Sequence, residues 1–209
     1  MSDVDLPRWL EWAREIQAIG QTGITYSKDN YDTQRYKRLT EIAVEIVQEY
    51  TSLPKDQLLE SFLLQLGYAT PKIDVRGAVT REGKILLVQE RSDQRWCMPG
   101  GWGDVGETPS NAVKREVLEE SGFQVIPRKI VGVYDANRAG IPVEFYHAYK
   151  IVFLCVIEGG GPCPSDETLS VGFFNPCSLP PLSVQRTNEA HIAEVFAHMD
   201  DENRPAALD

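Results

Sequence analysis

Residues 101–123, GWGDVGETPSNAVKREVLEESGF, decide how this chain folds. Thr108-Pro109 predicts a helix start, a hydroxyl cap followed by proline at the first helical position, where a missing N–H costs nothing. Gly122 predicts its stop as a left-handed cap, leaving a helix of roughly three turns between them. On it Glu116, Glu119 and Glu120 stand at i, i+3 and i+4 and so share one face. Ala112, Val113 and Val117 lie beside that face and predict docking on a sheet. Like charges so placed repel, so their clustering adds nothing to a structural helix. A solvated acidic face is the ordinary use of such a run, whereas Mg²⁺ or Mn²⁺ would reverse the sign of the energy.

Upstream, the approach Trp96-Cys97-Met98-Pro99-Gly100-Gly101 lets bare backbone come close to a ligand, with no Cβ in the way. Before it, KIDVRGAVT (72–80) and ILLVQE (85–90) read as strands joined by a turn at Arg81–Lys84. Arg76 sits within the first strand among apolar residues. A buried arginine needs a partner, and two remain open: a substrate phosphate held by its planar fork, or Glu90 or another acid in a salt bridge. Arg91 lies in the polar loop that follows and is a second candidate phosphate ligand. Downstream, 125–134 and 148–157 read as strands, the second (AYKIVFLCVI) nearly all apolar and therefore central. The glycine-rich turn 159–162 precedes Asp166, Glu167 and a further strand at 171–174. Asn188–Met199 reads as a closing amphipathic helix, and the polar tail 201–209 as frayed.

Residues 1–67 read as a helical module. A first helix carries Trp9, Leu10, Ala13 and Ile16 and ends near Gly20, and Thr22–Asp32 reads as loop. A second helix runs from about Tyr31 to Tyr50, with Leu39, Ile42, Ala43, Ile46 and Val47 as its seam. A third starts at Pro54 and stops at Gly67. Tyr26, Tyr31 and Tyr36 have two readings, a substrate pocket or core packing. Pro71 breaks helix and marks the linker to a second domain spanning 72–200.

With 209 residues, 42% of them apolar, the chain has enough material for a core, and its net charge of −10 argues against nonspecific binding to nucleic acid or anionic membrane. No apolar run approaches the ~20 residues of a membrane span, and the acidic start is unlike a signal peptide. The four cysteines, Cys97, Cys155, Cys163 and Cys177, show no CxxC, so they read as reduced thiols of a cytoplasmic protein without a zinc site. His147, His191 and His198 show no spacing that would carry catalysis.

Gly101, Glu107, Arg115, Glu116, Val117, Glu119, Glu120, Gly122 and Phe123 together resemble the Nudix box: G, five residues, E, seven residues, REUxEE, one residue, G and U, where U is a bulky apolar residue. All of these positions match. The resemblance implies an α+β fold, an α/β/α sandwich on a mixed sheet, preceded here by the small helical N-terminal domain. It implies a Mg²⁺- or Mn²⁺-dependent pyrophosphohydrolase of a nucleoside diphosphate derivative. By position, Glu116 and Glu120 become metal ligands and Glu119 a ligand or base. Arg115 orients a box carboxylate, Glu107 braces the loop, and Gly100 or Gly101 offers a carbonyl. Family members differ in the general base, so Glu119 and Glu167 both stand as candidates.

The segment WLEWAREIQAIGQTGITYSKDNYD (9–32) is similar to the N-terminal extension of a Nudix subgroup that includes CDP-choline and ADP-ribose pyrophosphatases. That likeness implies a homodimer and a CDP-choline-like substrate. The alternatives are ADP-ribose, an RNA end, or nucleotide binding without catalysis.

Overall fold

The computed structural model of the chain describes residues 7–51, 67–136 and 147–208. They divide into two units, each treated by itself: the described residues up to Pro71 together with His147, and the rest from Lys72 onward.

The first unit is built on α1 (Arg8–Tyr26) and α2 (Asn30–Tyr50). Only Ser27–Asp29 separates them, and Asp29 caps α2 by accepting from the Asp32 N–H at 2.8 Å. The helix end expected near Gly20 and the loop expected from Thr22 are therefore corrected. Gly20 and Gly23 do not break the helix; they let α2 approach it. A Cβ on Gly23 would strike the Tyr36 ring, and one on Gly20 would stand 2.5 Å from Thr40 Oγ1. The buried seam joins Leu10 and Ala13 to Ala43, Val44 and Val47, while Leu39, Ile42 and Ile46 are only partly covered. Tyr36 packs between the helices and, with Tyr26 and Tyr68, lines an open groove of about 740 Å³. Tyr31 is exposed beneath the Arg35 guanidinium, 4.1 Å from its ring. The third helix expected after Pro54 lies outside the described residues.

The second unit is an eight-stranded mixed sheet with a helix on each face. Its strands are β1 (Lys72–Arg81), β2 (Lys84–Glu90), β3 (Trp96–Cys97), β4 (Gly100–Trp102), β5 (Phe123–Asp135), β6 (Ala148–Gly160), β7 (Thr168–Phe174) and β8 (Ala207–Leu208). The main order is β3-β2-β1-β6-β5-β8, with β4 also pairing β1 and β7 pairing β2. β1 runs parallel to β6 and β5 parallel to β8; the other pairs are antiparallel. The apolar strand β6 is central, as its composition predicts.

Strand periodicity sorts the side chains into two cores. Val75, Val79, Leu86 and Phe153 meet α3 (Pro109–Ser121) through Ala112, Val113 and Val117. Ala78, Ile85, Leu87 and Val152 meet α4 (Glu189–Asp200) through Ile192 and Val195. The expected sandwich is present. The polar tail is not frayed: Arg204 binds Glu194 through two contacts of 2.6 and 3.0 Å, and Lys129 Nζ donates to the Glu202 carbonyl at 2.8 Å. β8 then pairs with β5 at Gly132 and Val133. Composition marked this tail as solvated, but its backbone finds the edge of the sheet.

Candidate active site

α3 begins and ends as its sequence predicts. Thr108 Oγ1 accepts from the Asn111 N–H at 3.2 Å, and Gly122, at φ +77°, closes the last turn by donating to the Leu118 carbonyl. The inner face rests on β1 at Gly77, where any Cβ would collide with Val117. That seat carries Glu116 and Glu120, one turn apart, to the place where β4 pairs with β1. Both are buried, at 9% and 6% exposure.

The glycines of β4 are required there. Gly100 has φ +148°, and a Cβ on it would run into the Val75 carbonyl. Its N–H donates to Glu120 Oε2 at 2.8 Å. Beside Gly101 the Glu116 carboxylate occupies the space of a missing side chain: a Cβ would lie 2.9 Å from Oε2 and 3.0 Å from Oε1.

Arg115 gathers the other acids. Its Nε and Nη2 grip Glu107 in a two-pronged contact, each at 2.9 Å, and Nη1 reaches Glu116 at 2.8 Å and Glu119 at 3.1 Å. Nη2 also donates to the Trp102 carbonyl at 3.2 Å. This fork ties helix to loop and orients Glu116. The hydrogen bond from Arg115 holds Glu107 below the usual carboxylate range. Glu116 is raised in spite of the same guanidinium, because burial outweighs it. Burial pushes Glu120 up to about 7, with Arg76 and the Gly100 amide opposing, and Glu90 and Glu116 adding to the rise. A carboxylate so desolvated gains from a cation more than an exposed one does.

The three box carboxylates do not all face inward. Glu119 keeps 58% of its side chain exposed and turns back to Arg115. Among the described residues, no three acidic, imidazole or thiol groups converge as metal ligands. The reason is electrostatic: like charges one turn apart repel, Arg115 draws Glu119 outward while also holding Glu116, and Glu120 takes the Gly100 N–H. The donor chemistry still suits a hard divalent cation, with two inward carboxylates beside glycine backbone that carries no Cβ.

The remaining expected residues are dispersed around this centre. Glu167 is exposed in the turn before β7, while its neighbour Thr168 donates its hydroxyl to the Glu120 carbonyl at 2.9 Å. The turn is thereby docked on the end of α3. Arg91 holds the same turn, Nε donating to the Asp166 carbonyl at 2.8 Å and its N–H to that of Glu167 at 3.0 Å. Arg76 does not pair with Glu90. Its partner is Asp74, two residues away on the same face of β1, at 3.0 Å, and Nη1 donates to the Met98 carbonyl at 3.3 Å. With 7% of its side chain exposed, the arrangement matches the ion-pair reading rather than a phosphate fork.

Of two further groups near the centre, Glu90 entered the reading of the sequence only as a possible partner of Arg76, and Lys150 did not enter it. Glu90 is buried, accepts from Cys97 Sγ at 3.1 Å and faces Arg186 Nε at 3.5 Å. Its signal was a charge ending an otherwise apolar strand. Lys150, fully buried in β6, donates to the carbonyls of Gln185 and Arg186 at 2.6 and 2.7 Å and lies 3.7 Å from Asp74. A lone lysine within AYKIVFLCVI was its signal.

Comparison with known proteins matches residues 70–198 to the NUDIX domain family and residues 7–62 to a family described as a UDP-X-like N-terminal oligomerisation domain. The chain is 36% identical over 202 residues to YjhB of Bacillus subtilis (strain 168), provisionally named an ADP-ribose pyrophosphatase, covering 97% of both chains. Among solved structures it is similar to an ADP-ribose pyrophosphatase from Streptococcus suis 89-1591, at 35% identity and TM-score 0.62, covering 67% of this chain and 100% of that one. It is also similar to a UDP-X diphosphatase, at 29% identity and TM-score 0.62, covering 97% and 98%.

Proposed function

The chain belongs to the Nudix family of pyrophosphohydrolases, and on that premise we propose that it hydrolyses ADP-ribose to AMP and ribose 5-phosphate with a divalent cation held by Glu116 and Glu120. The observation that carries the reading is the pair of buried carboxylates packed against Gly100 and Gly101, with the Gly100 N–H on Glu120. When bound there, Mg²⁺ or Mn²⁺ neutralises the pyrophosphate and activates water for attack on phosphorus. The protein's own part is placement. Arg115 holds Glu116, Glu107 braces Arg115, and the glycines admit phosphate oxygens close to the backbone. Glu119, already at the surface of this centre, and Glu167, on the turn docked to α3, are the two candidate bases. Arg91 serves the second by fixing its turn. In this reading Arg76 acts on the Met98 peptide rather than on substrate.

ADP-ribose takes precedence over the CDP-choline expected from the N-terminal extension, because relatives aligned along the chain carry the ADP-ribose name and none reported above carries a choline one. A second reading, a UDP-linked substrate, is favoured by the description of the N-terminal domain and by the diphosphatase aligned over nearly the whole chain. The oligomerisation domain supports assembly into a homo-oligomer, for which we retain a dimer. Four free thiols, two of them exposed, support the cytoplasm as its compartment. The test is turnover of ADP-ribose, UDP-glucose and CDP-choline with Mg²⁺ and with Mn²⁺, the products separated by ion exchange. ADP-ribose should give the highest kcat/KM; a UDP-sugar in first place would install the second reading.

A further inference from the structure

The glycine turn is held from an unexpected direction. Three successive peptides lead from β3 into β4, and each is fixed separately. The Pro99 carbonyl accepts from the Gly77 N–H at 2.8 Å, and the Gly100 N–H donates to Glu120 at 2.8 Å. Met98 is gripped on both sides: its carbonyl accepts from Arg76 Nη1, and its N–H donates to Thr187 Oγ1 at 2.9 Å. Gly77, Arg76 and Glu120 belong to the strand and helix that build the centre. Thr187 does not. It stands immediately before Asn188, the cap of α4, is fully buried, and is remote in sequence from the Nudix box.

Its own position is fixed on every side. The Thr187 N–H donates to the Ser183 carbonyl at 2.8 Å, and Asn188 and His191 cap each other's backbone N–H groups at the start of α4. Lys150 clamps the two preceding carbonyls from beneath. A hydroxyl aimed at one backbone N–H from so rigid a mount sets the height at which the chain enters Pro99-Gly100-Gly101. We propose that Thr187 is a positioning residue for the metal-facing glycine turn, acting through the Met98 peptide to hold Gly100 against Glu120. The proposal rests on the functional reading above as to what the turn does, but not as to whether Thr187 holds it.

Thr187→Val keeps the shape and removes the acceptor, leaving the Met98 N–H buried and unpaired; Thr187→Ser keeps the acceptor. Ser183→Ala is the structural control. It breaks the 2.7 Å bond from Ser183 Oγ to Asp93 in the same segment without touching Met98. The readouts are amide hydrogen exchange at Gly100, Mn²⁺ affinity of the full chain, and kcat. Thr187→Val should speed Gly100 exchange and weaken Mn²⁺ binding about 10-fold or more, and lower kcat by ~10–100-fold. Thr187→Ser and Ser183→Ala should stay within about threefold of the parent in all readouts. Unchanged Gly100 exchange in Thr187→Val overturns the proposal, as does an equal effect from Ser183→Ala, which would mean that loosening the segment suffices. If the parent binds no Mn²⁺ and turns nothing over, the functional reading fails, and the exchange rates still decide the role of Thr187.

Discussion

Adding one methyl group at Gly101 should slow the centre without weakening the fold. Gly101 lacks the positive φ of Gly100, so alanine meets no backbone strain there. What its Cβ meets is the Glu116 carboxylate, at 2.9 Å where ordinary contact begins at 3.4 Å, so the carboxylate must retreat by about 0.5 Å. The carboxylate is the end of a flexible side chain and can do so cheaply, but it then leaves the position set by Arg115. A displacement of about 1 Å in such a constellation costs ~10² in rate, so about half of it should cost ~10-fold, or ~1.4 kcal/mol of barrier. Stability should move the other way: glycine to alanine at a compatible site gains ~0.4–1 kcal/mol through the unfolded chain. The assay is kcat/KM for ADP-ribose, Mn²⁺ affinity and the thermal midpoint of Gly101→Ala. A kcat/KM within twofold of the parent would refute the reasoning, and so would a rate loss accompanied by an equally large loss of stability.

Other outcomes follow from the same geometry. Gly100→Ala, with φ +148° and a carbonyl in the way, should fail by stability rather than rate, with a midpoint well below that of Gly101→Ala in a melting scan. Arg115→Lys exchanges a two-pronged grip for a point charge and should cost ~10–100-fold in kcat, with little change in the melting curve. Glu120, raised by burial from about 4.5 to about 7, retains a proton in the folded protein that the unfolded chain has lost. Its contribution to stability is therefore fully present below about pH 4.5 and lost as pH rises through about 7. In chelator-treated protein, Glu120→Gln should abolish that part of the pH dependence, and Mn²⁺ affinity of the parent should rise with pH up to about 7 and then level off. Glu167→Gln and Glu119→Gln should separate the candidate bases, since the true base should lose ~10² or more in kcat.

The centre was largely legible because its parts are local. Thr108, Pro109 and Gly122 bound α3 through short-range rules, and the box spacing places Glu116 and Glu120 on the same inward side. Glu119 shares their face by spacing but is drawn outward by Arg115, four residues before it, an i,i+4 pairing that competes with the inward position. The interior glycines of α1 show the opposite failure. Gly20 and Gly23 carry the sign of a helix end, and only the approach of Tyr36 and Thr40 from α2 turns them into contacts. The partner of Arg76 was within reach, since Asp74 shares its face by the period of two. Lys150 and Thr187 were not, because their work is done through backbone groups of distant segments, which side-chain identity does not encode.

The most direct measurement is product formation from ADP-ribose with Mg²⁺, the parent against Glu120→Gln, read as phosphatase-releasable phosphate with AMP identified by chromatography. The account predicts AMP and ribose 5-phosphate in equal amounts from the parent, abolished by chelator, and at least ~10²-fold less from Glu120→Gln. Equal turnover by the two proteins would contradict the claim that this buried carboxylate, held to Gly100, is the heart of the site.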